Sequence, residues 1–269
     1  MTKKFDVKMS AFSRKYEYLC PLKMFYKYDA ATYATTHGDD EVRNEDILQK
    51  LKTYIKKFVG TRNYHNFTRK GVPKEKTNLR YILSLEVDRV SKDELRRIWG
   101  TDPKNQYVIF KLHGQSFIYH QIRKMVGSLI QIFQEDYDES FLDNTFTYNK
   151  TPVWLAPSQG LLLDRIYFTA YNKKEDSPET LELTPEEDTL IENYKREVLY
   201  KVVVSAEEEL KIYTQWMTAG REFNALQFNK DPNFMSHWCN EDMEYDAKGT
   251  VDLKEIKFRK PEKDEQGED

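Results

Sequence analysis

Three shortages set the first bounds on this chain. Only two of its 269 residues are cysteine, Cys20 and Cys239, too few for a disulfide framework, which points to a reducing intracellular compartment. No apolar run approaches the ~20 residues needed to cross a bilayer. Met1 to Lys4 lead into a strand-like segment rather than a signal peptide. Positive charge is not in excess either. With a net charge of −3, any contact with nucleic acid must come from a local patch. His237 and Cys239 lie close together, but no second pair completes four ligands, so no metal is expected. Polar surface and aromatic side chains are plentiful. Charged residues make up 32% of the chain and aromatics 14%, including 18 tyrosines.

The most informative stretch is Gly114 to Phe133. Ile118, Ile122, Met125, Leu129 and Phe133 recur every three or four positions, and Val126 and Ile130 widen the stripe, which predicts a helix with one buried face. Ser116 is its expected N-cap. Ser116, His120, Arg123 and Gly127 form a second row at the same spacing. A glycine inside a strong helix costs about 1 kcal/mol against alanine, so a close backbone approach is expected at Gly127. Spacing alone fits a solvated Arg123 equally well.

The remaining pattern is α+β. Phe5 to Leu19 reads as a strand or bent pair of strands, with Arg14, Tyr16 and Tyr18 on one face and Lys15 and Glu17 on the other. Glu41 to Val59 reads as a helix ending at Gly60. Arg80–Val90 and Gln106–His113 read as neighbouring strands, joined through a turn region at 94–105. A short helix is expected over Asp138–Thr145, and a loop then a strand over Ala156–Phe168. After Tyr171 the composition turns acidic, and two helices are expected, Pro185–Tyr200 and Ser205–Ala219. The boundaries are thus 1–172 for the main unit, 173–228 for a helical extension and 229–269 for a poorly structured tail.

Between Lys50 and Lys76 there are nine lysines and arginines and one acid, Glu75. Arg62, Asn63, Tyr64, His65, Asn66, Arg69 and Lys70 interleave cations with amides and aromatics, a composition suited to RNA. A tight turn followed by buried aromatics has the same appearance.

Three segments carry a family resemblance. Phe117, His120, Ile122, Arg123, Met125, Val126 and Gly127 resemble the F-x-x-H-x-[IV]-R-x-[IM]-V-G helix of the TruA-type tRNA pseudouridine synthases. Phe5 to Tyr18 resembles that family's F-x-x-x-x-S-A-x-x-R-x-Y-x-Y motif, and Ala156 to Leu163 its A-P-x-x-G-L-x-L loop. Gly60, Asn63, Tyr64 and Phe67 are similar to a further G-x-x-[DN]-F-x-x-F element. The resemblance implies half of a pseudouridine synthase fold, a mixed and largely antiparallel sheet flanked by helices. It makes Tyr16 the active-site tyrosine, with Arg14 and Tyr18 beside it, and Arg123 the partner of a catalytic aspartate. Leu161 and Leu163 would lie beside the target uracil, His120 and the 62–70 segment would touch RNA, and tRNA, with other RNAs besides, would be the partner. In the implied reaction an aspartate attacks a flipped uridine, the glycosidic bond breaks, the uracil turns and C5 bonds to the ribose. No cofactor takes part.

The family's aspartate-bearing R-T-D-x-G-V loop has no counterpart here. Thr68 to Val72 is the nearest imitation and holds no aspartate. The expectation is therefore the C-terminal part of an intracellular synthase, nuclear or mitochondrial by family analogy. Alone it would be inactive, with the N-terminal half its missing partner and Arg123 unpaired at an open cleft. The alternative is a non-catalytic RNA-binding module on the same scaffold.

Overall fold

A computed structural model of the chain describes residues 5–27, 41–69, 71–102, 104–174 and 180–217. Lys70, the whole 30–40 connection and the 229–269 tail lie outside the described residues.

The frame is one five-stranded sheet. In chain order its strands are β1 (Ser13–Pro21), β2 (Gly60–Asn63), β3 (Leu79–Arg89), β4 (Tyr107–Gly114) and β5 (Leu161–Tyr167), and in space they run β2-β3-β4-β1-β5. Every pairing is antiparallel, so the mixed sheet expected from sequence is corrected to a purely antiparallel one among the described residues. The N-terminal segment is also corrected, since residues 5–12 are not strand and β1 begins only at Ser13.

The helices are α1 (Glu41–Tyr54), a single turn α2 (Lys92–Glu94), α3 (Gln121–Glu135), α4 (Ser140–Thr145), the short α5 (Thr169–Asn172), α6 (Pro185–Tyr194) and α7 (Tyr200–Leu210). The expected turn region after β3 is more ordered than the sequence suggested. There α2 widens into a π-helical turn, Leu95–Trp99, and stops at Gly100, whose φ of 69° is the left-handed conformation that glycine tolerates best.

The two faces of the sheet are covered by different parts of the chain. Tyr18, Cys20, Phe110 and Leu112 point to one side and pack with Ile122, Met125, Val126, Leu129 and Ile130 of α3. Leu19, Tyr107 and Ile109, one residue out of step, point to the other side and pack with Trp99, Tyr200 and Val204. Because β1 and β4 are buried on both faces, their apolar runs are nearly continuous rather than alternating.

The helical extension therefore closes the second face. Its anchor is ionic. Lys195 is buried and donates to Glu17 Oε1 at 3.1 Å, Asp164 Oδ1 at 2.8 Å and Glu192 Oε1 at 2.7 Å, while the Tyr200 hydroxyl hydrogen-bonds the Glu17 carboxylate. Asp164 reaches this network because the β1–β5 register slips there, pairing Lys15 with Arg165 but Tyr16 with Leu163. Burial, reinforced by neighbouring Asp164 and opposed by Lys195, pushes the Glu17 carboxyl above its usual range.

The capping box at Thr184 and Glu187 starts α6 as the sequence indicated. The second expected helix start, Ser205, is wrong. A π-helical turn, Lys195–Leu199, carries α6 straight into α7, and Ser205 lies in mid-helix. No glycine or proline interrupts residues 186–210, so nothing forces a break before Lys211, which adopts φ 52°. The wider turn shifts the backbone ladder, and Trp99 Nε1 donates to the Arg196 carbonyl at 2.7 Å.

Candidate active site

The helix α3 begins later than its apolar stripe suggests. Residues 115–120 form a loop, and the N-cap is His120 with φ 68°, not Ser116. The turn is closed twice: Gln121 N donates to Ile118 O at 3.0 Å, and Ile118 N donates to Gln121 Oε1 at 2.9 Å. Of the polar row read from sequence, only Arg123 and Gly127 lie on the helix.

Those two residues meet the segment before β5. The Arg123 carbonyl accepts from Ala156 N at 3.2 Å, and Arg123 Nε donates to Ala156 O at 2.7 Å. One turn on, a β-carbon on Gly127 would sit 2.0 Å from the Trp154 carbonyl oxygen, so that position has room for glycine alone. The next residue is held from the opposite side. Tyr18, fully buried in β1, donates its hydroxyl to Pro157 O at 2.6 Å. The consecutive carbonyls of Ala156 and Pro157 thus join α3 to β1. The three motif segments converge on one spot.

This geometry corrects the expectation that Arg123 stands at an open cleft. It is 7% exposed, and its Nε is committed to the backbone. Its Nη atoms make no hydrogen bond, and no carboxylate pairs with it among the described residues. Lys124, beside it, is pinned by bonds to Asn66 O at 3.2 Å and Thr68 O at 3.1 Å. Burial and nearby Lys150 hold the Lys124 ammonium down to about 8. His120 is pulled down to about 4, by burial first and then by Arg123, Lys124 and Arg69. The charges acting on this corner are all positive.

Tyr16 is half-buried and stands edge-on to Phe117, with ring centroids 5.2 Å apart, in the loop that leads into α3. Across the strand it faces Leu163, which is 45% exposed, while Leu161 is half-buried against the core. Arg14, on the same face, donates to Lys8 O at 3.3 Å. Tyr16 thus adjoins Phe117 and Leu163, while Arg123 is tied to Ala156, seven residues before Leu163.

The 62–70 segment has another role for most of its members. Tyr64 and Phe67 are fully buried and pack edge-on or stacked with Phe58 and Phe146. His65 is buried with its two ring nitrogens 3.2 Å from the acceptor oxygens Asn63 Oδ1 and Asn149 O, to which a ring N–H donates, and Asn66 donates to Thr145 O and Asn149 O at 2.9 Å. Packing is what these residues do here. Gly71 is fixed by the same arrangement, since a β-carbon would lie 2.0 Å from His65 O. Arg62 lies 5.2 Å over the Phe146 ring, and Arg69 remains half-buried near His120. Lys50 and Lys57 are ion-paired with Asp46 and Asp143, which removes part of the positive run. Sequence reasoning missed Lys124 and Phe117 as parts of the site. Lys124 follows the motif arginine, but nothing in the spacing marks it as buried.

Residues 54–169 match the sequence profile described as tRNA pseudouridine synthase. The Pseudouridylate synthase 1 homolog of Mus musculus is 32% identical over 201 residues, covering 71% of this chain and 45% of the relative. Its Homo sapiens counterpart is 30% identical over 202 residues, 72% of this chain and 45% of the relative. The tRNA pseudouridine synthase 1 of Yarrowia lipolytica is 32% identical over 155 residues, 55% of this chain and 28% of the relative. The chain belongs to the TruA-type tRNA pseudouridine synthase family. It spans a little under half the length of the mouse and human relatives it matches. Within this chain the profile match contains Arg123, Gly127 and the 154–163 segment and stops short of Tyr16.

Proposed function

We propose that this chain supplies Tyr16, Arg123 and part of the RNA surface to a pseudouridine synthase that isomerises uridine in tRNA. The single observation that carries the reading is the uncompensated positive corner. Among the described residues Arg123 has Nη atoms without a carboxylate partner, beside Lys124 and a neutral His120. Such a corner suits an incoming carboxylate and the phosphates around a flipped nucleotide. The Nε–Ala156 bond fixes the plane of the guanidinium, so its remaining donors are pre-aimed.

In the proposed site an aspartate from a segment outside this sequence pairs with Arg123, which keeps it ionised and nucleophilic. The Tyr16 ring, steadied by Phe117 and flanked by Leu163, offers an apolar face to the uracil. Its hydroxyl is available for hydrogen bonding or proton transfer. The isomerisation breaks the N1 glycosidic bond and forms the C5 bond with no change of oxidation state, so no cofactor enters. Lacking the aspartate, this chain alone does not make pseudouridine.

The test has two stages. Binding of folded tRNA is measured at two salt concentrations, for this chain and for a variant in which Arg62, Arg69 and Lys70 become Gln. Salt-dependent binding that the variant loses is the expected result, and no binding by the intact chain removes RNA recognition from this part. A segment bearing the R-T-D loop is then supplied in trans or fused in cis. Turnover that requires Tyr16 and Arg123 supports the catalytic reading. Tight tRNA binding without any turnover favours the non-catalytic RNA-binding module.

A further inference from the structure

We propose that Tyr119 and His120 form a stacking platform for an unpaired nucleobase of the RNA next to the reacting nucleotide, a subsite that rests on the RNA-binding reading above. Tyr119 is 65% exposed, and its ring lies on that of His120 with centroids 3.7 Å apart and planes inclined at 28°. An exposed tyrosine alone means little. His120 beneath it is out of the ordinary in two ways that geometry alone reveals.

Its backbone adopts φ 68°, a left-handed conformation that costs a residue with a β-carbon. Both of its ring nitrogens are buried and without a hydrogen-bond partner. A buried polar atom left unpaired is destabilising, and here the loop holds two on one ring. The turn that enforces this is rigid. Gln121 closes it through its backbone N–H and its side-chain oxygen on Ile118, and the His120 carbonyl already accepts from Lys124 N at 2.9 Å. Neither nitrogen is open to a ligand, so the ring serves as a fixed base beneath Tyr119 rather than as a direct contact.

The surroundings identify the ligand class. Arg123, Lys124 and Arg69 are the charges that act on His120, and all are positive. An aromatic face that is already stacked and ordered, set among cations that follow a phosphate backbone, is the recognition chemistry of unpaired RNA. The base extends the His120–Tyr119 stack to three rings. It lies on the face of Tyr119 that points away from His120.

The experiment compares the full chain with Tyr119→Ala and Tyr119→Phe for binding to folded tRNA at fixed salt. Heparin, a polyanion without bases, serves as the control. Tyr119→Ala should weaken tRNA binding about 5- to 100-fold, the range for loss of one base–aromatic stack. Its salt slope and heparin affinity should be unchanged, and Tyr119→Phe should bind as wild type. Wild-type tRNA affinity in Tyr119→Ala overturns the platform alone, as does an equal loss on heparin. No tRNA binding by the unaltered chain overturns the RNA-binding reading, and the platform with it.

Discussion

Gly127 lies so close under the Trp154 carbonyl that a β-carbon would stand 2.0 Å from its oxygen. The contact is backbone against backbone, so a side chain cannot rotate away to relieve it. Gly127→Ala should therefore separate α3 from the 154–157 segment and cost about 2–3 kcal/mol, despite alanine's better helix propensity. Thermal unfolding checks this. A variant as stable as wild type would mean that the 154–157 segment yields freely.

Arg123 has two roles in the proposed site. Its Nε donates to Ala156 O, and the proposal assigns its Nη atoms to an anion. Arg123→Lys keeps the charge but cannot reproduce the fork. Melting temperature should fall only modestly, since one buried bond of about 1–3 kcal/mol is at stake. Turnover by the enzyme completed with an aspartate segment should drop about 100-fold or more. Full activity in this variant would reduce Arg123 to a point charge.

Lys195 sits between three carboxylates, and it is only 3% exposed. Lys195→Met leaves Glu17 buried without its cation, while Asp164 keeps Arg165 at 2.7 Å and Lys15 at 3.4 Å, and the loss should cost about 3–5 kcal/mol. The extension should loosen first, so exchange of amide hydrogens in α6 and α7 should accelerate before the sheet is affected. Uniform acceleration throughout would show instead that the extension and sheet unfold as one.

His120 gives the fold an acid-side sensitivity. Burial, with the positive charges of Arg123, Lys124 and Arg69, holds it down to about 4 from an ordinary value of 6.5. Between those values the unfolded chain binds the proton and the folded chain does not. The neutral-His contribution is therefore complete above pH 6.5 and is lost as pH falls towards 4. Glu17, pushed upward, contributes in the opposite direction, with its stabilisation growing as pH falls. Comparing wild type with His120→Gln cancels the Glu17 contribution. Urea denaturation from pH 7.5 to 4.5 should show wild type losing stability relative to the variant, and parallel curves would remove His120 as the cause.

Much of the fold was legible in local patterns. The apolar stripe of α3, the alternating strand β3, the apolar run of β4 and the capping box at Thr184 each follow from residue pattern or turn chemistry within one short window. The misreadings differ in cause. Ser116 and Ser205 are both good local cap residues, but Gln121 closes its own turn on Ile118, and the π-helical run through Lys195–Leu199 is met by Trp99 at the Arg196 carbonyl. Tyr64, His65 and Asn66 resembled an RNA-binding run because amides and aromatics serve a surface and a packed turn equally well. Their partners, Phe146 and residues 145–151, are some eighty positions away.

The sequence by itself determined the α+β class, the family and the demand for a glycine at position 127, since all three rest on residue types at fixed short spacings. Tertiary structure alone decided what each site residue can do. Burial and partners depend on long-range register, and only that register brought Ala156 and Pro157 between Arg123 and Tyr18, buried Lys124, and left the His120 ring nitrogens without partners.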